Sequence, residues 1–216
     1  TEQLMNNIIE NVVFDLDGTL IDSNLISLKT LQKAIEKVEN KIIPINELDI
    51  ILGLSDFDAL KTLGVKKQAE CYLTWREYSE ELNNEKLVFP EIVYMLTTLK
   101  DLGVNLGVVT SREKIRYYDN STIMKNLNSF FDIVVTSDST EKHKPLPDPL
   151  LKWCELSNVM PQQTIYIGDT EYDYLCASAA GTKFGLAAWG VHQNFKTELV
   201  FSYPNQIITY IERCSK

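Results

Sequence analysis

Two aspartates stand one residue apart at the end of an apolar run: in VVFDLDGTL, residues 12–20, Asp15 and Asp17 lead into Gly18 and Thr19. Strand packing has no use for neighbouring carboxylates, which disfavour each other's charge. Further along, Thr110 and Ser111 close the run GVVTS, Lys144 precedes PLPDP, and GDTEYD carries Asp169 and Asp173. Three carboxylates in one crevice need a cation to be stable, and an all-oxygen donor set favours Mg2+. A threonine hydroxyl and a lysine beside that metal suit a phosphoryl group. Gly18 lets backbone N–H groups come close to phosphoryl oxygens. An aspartate can also attack phosphorus and form an aspartyl-phosphate, so Asp15 and Asp17 can hold different jobs.

For these residues to meet, the elements around them must bring them to one place. Short apolar runs at 12–16, 104–109, 133–136, 164–167 and 183–187 read as strands. Continuous runs such as VVF, IVV and TIYI suit strands buried on both faces, hence a parallel sheet covered by helices. PEIVYMLTTLKDLG aligns Ile92, Met95, Leu96, Leu99 and Leu102 on one helical face, with Pro90 near its start and Gly103 closing it. PDPLLKWCEL and EYDYLCASAAG repeat the arrangement, the second ending at Gly181. The pattern predicts an α/β fold with a Rossmann-like, doubly wound parallel sheet. Asp15, Asp17, Thr110, Lys144 and Asp169 then all fall after strands, at the carboxyl ends where such sheets place their ligand crevice.

One interval breaks the alternation. About 85 residues after the first strand carry no convincing strand, whereas a simple crossover needs only a dozen or more. LISLKTLQKAIEKV aligns Leu25, Leu28, Leu31, Ile35 and Val38, and AECYLTWREYSEEL is a second amphipathic helix. The division expected is a catalytic core of residues 1–21 and 87–216 with a helical cap domain at 22–86. Within the cap, Tyr72, Trp75, Tyr78 and Leu82 lie at helical spacing and read as a packing stripe. Lys61 and Arg76 are its only notable cations and read as solvated. His143 and His192 show no partner pattern and read as surface residues. Trp189 and Gly190, after the last strand, suit either packing or the crevice wall.

Of the 216 residues, 44% are hydrophobic and 24% charged, which is ordinary for a globular chain. A net charge of −9 argues against nucleic acid or an anionic membrane as partner. Cys71, Cys154, Cys176 and Cys214 lie far apart with no metal-binding spacing, as expected for reduced thiols in a cytoplasmic protein. TEQLMNNIIE has no basic segment leading into an apolar one, and no run approaches the ~20 apolar residues of a membrane span. A monomer or homodimer acting on a small molecule is expected.

With these residues in view, the chain resembles the haloacid dehalogenase superfamily of Mg2+-dependent phosphohydrolases, in the branch with a helical cap after the first strand. DLDGT (15–19), VVTS (108–111), KPLPDP (144–149) and GDTEYD (168–173) match its four motifs in order and spacing, over residues 12 to about 190. The resemblance implies Asp15 as nucleophile and metal ligand. Asp17 becomes the general acid/base, its backbone carbonyl also on the metal. Gly18, Thr110, Ser111 (through its N–H) and Lys144 are implied at the phosphoryl oxygens, and Asp169 and Asp173 at the Mg2+. Thr19 points toward hydrolysis rather than sugar phosphomutases, which carry an apolar residue there. Asp17 argues against dehalogenation and against phosphonoacetaldehyde hydrolases. Phosphoglycolate phosphatase-like proteins look most similar, with FPEI (89–92) where they carry FPGI or FPGV. The segment 51–65 resembles their specificity loop, yet holds Asp56 and Asp58 and no early basic residue for a second anion. The implied activity is hydrolysis of a small phosphate monoester through an aspartyl-phosphate. A phosphomutase or pyrophosphatase on the same scaffold, and a non-catalytic binder, are the alternatives.

Overall fold

A computed structural model describes residues 8–119, 121–191, 193 and 195–214; His192 lies outside the described residues. The chain begins with β1 (Asn11–Phe14) and a two-residue strand β2 (Ile21–Asp22). Four helices follow, α1 (Asn24–Glu39), α2 (Ile45–Leu48), α3 (Asp56–Thr62) and α4 (Gln68–Glu81), and the chain returns through β3 (Leu87–Val88). From there it runs α5 (Ile92–Asp101), β4 (Asn105–Val109), α6 (Lys114–Tyr117), α7 (Thr122–Asn128) and β5 (Ile133–Val135). The last part is α8 (Asp148–Ser157), β6 (Thr164–Gly168), α9 (Glu171–Ala180), β7 (Lys183–Ala187), β8 (Val200–Phe201) and α10 (Asn205–Cys214).

The main sheet has the order β5-β4-β1-β6-β7-β8, and each of its pairings is parallel. Alternation along β1 explains why both faces are covered. Val12 and Phe14 enter one core with Met95 and Leu99 of α5, Leu127 of α7 and Ile207 of α10. Val13 enters the other with Leu150 and Trp153 of α8 and Cys176 of α9. Flanked by β4 and β6, β1 is where the strand order reverses, the topological switch point of an open α/β sheet. The expected Rossmann-like core is therefore the observed one.

Helices α1–α4 have a third core of their own, built around Leu31, Ile35, Leu60, Cys71 and Trp75. Tyr72 and Trp75 are buried in it and Tyr78 packs against it, as the packing stripe requires. The interval was expected to hold no strand, but β2 and β3 pair antiparallel, Ile21 opposite Val88 and Asp22 opposite Leu87. Two residues leave no periodicity to read. The sixth strand β8 escaped for the same reason, and the first strand ends at Phe14 rather than at 16. Leu25 and Leu102, expected on apolar faces, are 46% and 48% exposed. Leu25 lies in the first turn of α1 and Leu102 is the C-cap of α5, where few neighbours close over a side chain. Glu91, the N-cap of α5, sits at φ 68°, in the left-handed region that favours glycine. Cys71, Cys154 and Cys176 are buried free thiols, and Cys214 is a partly exposed one. Among the described residues no helix is long and apolar enough to cross a membrane.

Candidate active site

At the carboxyl ends of β1 and β6 the structure gathers Asp15, Asp169 and Asp173, each with a carboxylate oxygen within 4.8 Å of the others. All three are buried. Asp15 is the first residue past β1, tied back to the sheet by its N–H on Ile167 O at 2.8 Å. Asp169 follows β6 in the same way, its oxygens taking the Thr19 hydroxyl at 3.1 Å and the Asn24 amide at 2.9 Å. Asp173 is the third residue of α9. It caps that helix by accepting from the Thr170 N–H at 3.0 Å, so it serves the helix and the site together.

Lys144 is the cation of this cluster. Its Nζ donates to Asp15 Oδ1 at 3.0 Å, Asp173 Oδ1 at 2.7 Å and the Tyr166 hydroxyl at 3.2 Å. Burial would lower the Lys144 pKa, but Asp15 and Asp173 raise it above the usual lysine range. One ammonium cannot offset three carboxylates. Burial pushes the Asp15 carboxyl up to about 7 despite Lys144, with the charges of Asp173 and Asp17 adding to it. Burial, then Asp173 and Asp15, lifts Asp169 well above its ordinary value. The site thus lacks positive charge and presents oxygen donors only. That donor set fits Mg2+, held by the carboxylates of Asp15, Asp169 and Asp173.

Asp17 is turned elsewhere. Its carboxylate lies outside the three-carboxylate group and takes Arg112 Nε at 2.7 Å and Nη2 at 2.5 Å, with the Ser23 hydroxyl on Oδ1. Burial would raise its pKa, but the Arg112 guanidinium holds the carboxyl well below the usual range. Any metal contact of Asp17 is therefore left to its backbone carbonyl, as the family resemblance implies.

Gly18 has φ 78°, and a Cβ there would stand 2.1 Å from Asp169 Oδ2. Only glycine lets the loop pass so close to that carboxylate. Its own N–H, expected for a phosphoryl oxygen, is instead taken by Ile21 O at 2.8 Å, so Gly18 contributes room rather than a donor. The Thr110 hydroxyl accepts the Arg112 N–H at 3.2 Å, and among the described residues nothing accepts its proton. Ser111 spends its hydroxyl on Gly53 O at 2.6 Å, which leaves its N–H as the group it can offer. Trp189 and Gly190 pack behind the DLDGT loop: the indole N–H donates to Thr19 O at 2.9 Å, and a Cβ on Gly190 would meet Gly18 O at 1.6 Å.

A cavity of about 60 Å³ opens from Asp15, Asp17 and Thr110 toward Trp75 and Ser79 of α4, and is lined also by Lys86, Arg112 and Arg116. A single water needs ~10–15 Å³ by the same measure, so the space suits a small molecule. The three cations are what the sequence reading missed. Arg112 directly follows VVTS, so a signal for it was present: a residue two past Thr110 must stand at the same strand end. Lys86 lies beside β3 and Arg116 in α6, with no motif to mark them. The two acidic residues that argued against a second anion both have partners from the core. Asp56 pairs with Arg116, and Asp58 Oδ2 lies 2.8 Å from His143 Nδ1. His143 is therefore not the unpartnered surface residue expected; the fold, not its local sequence, brings it to α3. Lys61 is exposed as expected, and Arg76 pairs with Glu80 at 3.3 Å.

Comparison with known proteins agrees with this geometry. The family model of haloacid dehalogenase-like hydrolases matches residues 12–187. The pyrophosphatase PpaX of Bacillus mycoides is 30% identical over 211 residues, 95% of this chain and 98% of that protein. A putative pyrophosphatase PpaX of Caldanaerobacter subterraneus is 33% identical over 181 residues, 83% of this chain and 82% of that protein. Among solved structures, a putative phosphoglycolate phosphatase from Lactobacillus plantarum superposes with a TM-score of 0.82 at 25% identity, covering 94% of this chain and 99% of that one. With the strand order, the buried carboxylates and the four motifs in place, the chain belongs to the haloacid dehalogenase-like hydrolases.

Proposed function

We propose that the protein is a Mg2+-dependent phosphatase that hydrolyses a small-molecule phosphate monoester through a phosphoryl group carried on Asp15. The observation that supports this most is the meeting of Asp15, Asp169, Asp173 and Lys144 at one switch point, from positions far apart in sequence. Asp15 attacks phosphorus with a carboxylate oxygen; the new O–P bond forms as the bond to the leaving oxygen breaks. Lys144 orients Asp15 by holding Oδ1, and Thr110 Oγ and the Ser111 N–H receive the phosphoryl oxygens. Asp17, once released from Arg112 and protonated, gives its proton to the leaving oxygen. In the second step the Asp17 carboxylate takes a proton from water, whose oxygen displaces Asp15 from phosphorus. A bound Mg2+ would neutralise the carboxylates and the phosphoryl oxygens in a site otherwise short of positive charge. Residues 22–86 act as a cap over the crevice, with Trp75 and Ser79 as part of its lining.

A second reading, in which the leaving group is itself a phosphate, is favoured by the curated relatives named as pyrophosphatases. Phosphate release from p-nitrophenyl phosphate, with Mg2+ and with EDTA, tests the common core of both. Release that needs Mg2+ and disappears in Asp15→Asn supports the reading. Full activity in EDTA, or in Asp15→Asn, refutes it.

A further inference from the structure

Lys86 is out of place for a lysine. It is 8% exposed at the start of the stem strand β3, and among the described residues no carboxylate lies within ion-pair distance of its Nζ. Its hydrogen-bond acceptor is the neutral Asn83 Oδ1 at 3.0 Å, which uses one of three donors. Burial and then the Arg112 guanidinium push the lysine down to about 8. A buried ammonium beside another cation, with Asp17 and Asp119 near it but outside ion-pair distance, is an arrangement that a ligand of opposite sign would complete. Lys86 and Arg112 line the same cavity as Asp15 and Asp17, and neither contacts the carboxylates of Asp169 or Asp173 by a hydrogen bond or ion pair. Arg112 holds both carboxylate oxygens of Asp17, so an anion that draws the guanidinium away frees Asp17 for the leaving oxygen. Arg116 does not compete for this role, because Asp56 already engages it.

Resting on the phosphatase reading above, we propose that Lys86 and Arg112 form the seat for a second anionic group on the leaving side of the substrate. The preferred substrates then carry a carboxylate or a further phosphate a short distance beyond the scissile bond. Lys86 selects them, and Arg112 exchanges Asp17 for the incoming anion. The charged groups facing Lys86 are Arg112, Asp17, Arg116 and Asp119, so its environment is set from the core as well as from the stem.

Matched pairs of esters test this. In 3-phosphoglycerate against glycerol 3-phosphate, a carboxylate replaces a neutral group; in propane-1,3-diol bisphosphate against the monophosphate, a phosphate does. The wild type should favour the anionic member of at least one pair in kcat/KM, and which pair responds tells a carboxylate from a phosphate ligand. Lys86→Met should reduce that preference by roughly 10–100-fold, the usual effect of removing one partner of a buried charge pair. Lys86→Arg should retain most of it, and Lys86→Gln, which keeps a donor for Asn83, serves if the methionine variant does not fold. Equal turnover within both pairs by the wild type, or an undiminished preference in Lys86→Met, overturns the proposal. Calorimetric binding of methylenediphosphonate separates this from the phosphatase reading. If no ester is hydrolysed yet the diphosphonate binds and weakens 10–100-fold in Lys86→Met, the seat stands and the phosphatase reading falls. Binding that does not depend on Lys86 overturns the seat.

Discussion

The shortage of positive charge around Asp15 has a consequence that heat and pH can read. An Asp15 carboxyl lifted from 3.8 to about 7 disfavours the folded, ionised state by roughly 4 kcal/mol, at ~1.4 kcal/mol per tenfold change. The sign follows from proton counting. Between those two values the folded chain holds a proton that the unfolded chain has lost, so stability falls as pH rises. Somewhat under half of the loss is complete at about pH 5, leaving roughly 2–3 kcal/mol to be lost by about pH 8. At ~2–4 °C per kcal/mol for a chain of this size, the melting temperature in EDTA should drop by roughly 5–10 °C across that window. Asp169, also raised, acts in the same direction. Asp17 is lowered, so its contribution is complete above its ordinary value and is lost only at more acid pH. Lys86, lowered to about 8, changes the balance only above that pH. Saturating Mg2+ binds the ionised carboxylates of the folded state and should abolish the drop, shifting the melting temperature more at the alkaline end than at the acid end. Fluorimetric melts in EDTA and in Mg2+ at both ends measure this. A flat or rising profile in EDTA, or an equal Mg2+ shift at both, refutes the charge-deficit argument.

Three substitutions probe other parts of the structure. Asp17→Asn should lose ~10²–10⁴-fold in turnover of alkyl phosphates, and less on p-nitrophenyl phosphate in the first step, where the leaving group needs little protonation; wild-type rates on alkyl esters would falsify the role given to Asp17. Lys144→Met strips the cluster of its only direct cation among the described residues and should destabilise the metal-free protein by ~3–5 kcal/mol in denaturant unfolding, with partial rescue by Mg2+; an unchanged midpoint contradicts that. Glu91→Gly relieves a left-handed backbone at φ 68° that disfavours a side chain by ~1–2 kcal/mol, part of it offset by glycine's freedom in the unfolded chain. A net gain of about 0.5–1 kcal/mol is expected, and a lower melting temperature speaks against the strain.

What the sequence made legible, and what it hid, divides along a physical line. Asp15, Thr110, Lys144 and Asp169 could be placed in advance because each lies after a buried strand, and parallel strands carry their ends to one edge, while Asp173 was implied only by the family resemblance. The core strands were readable because their apolar runs have no other explanation. The pairings that shape the rest of the cavity were not readable. Arg112 meets Asp17 across 95 positions, Arg116 meets Asp56 across 60, and His143 meets Asp58 across 85. Periodicity locates a residue on its own element but says nothing of which element faces it. Asp56 and Asp58 therefore read as a loop hostile to anions, when the fold pairs Asp56 with Arg116 and hydrogen-bonds Asp58 to His143. Lys86 read as nothing at all, since a lysine beside a two-residue strand gives no sign that it will be buried.

That division bears on how such a site can change its substrate without losing its chemistry. The groups assigned to phosphorus or metal gather at the carboxyl end of the sheet, Asp15 after β1, Thr110 after β4, Asp169 after β6, Asp173 in α9 and Lys144 in the loop before α8. Every group assigned to the leaving side sits where helices α1–α4 meet the core: Lys86 at the stem, Arg112 and Arg116 opposite it, Trp75 and Ser79 on α4. The two sets touch through Arg112, whose guanidinium holds Asp17 and whose N–H donates to Thr110 Oγ. A substitution at Lys86 acts chiefly on what the cavity attracts, its charge reaching Asp17 from beyond ion-pair distance, whereas one at Arg112 alters both attraction and the direct hold on Asp17. The two should therefore separate in kinetics: Lys86 variants chiefly in KM for anionic esters, and Arg112 variants in kcat as well. If Arg112→Met changed KM alone, Asp17 would not depend on its guanidinium partner, and the coupling of substrate choice to proton transfer would fail.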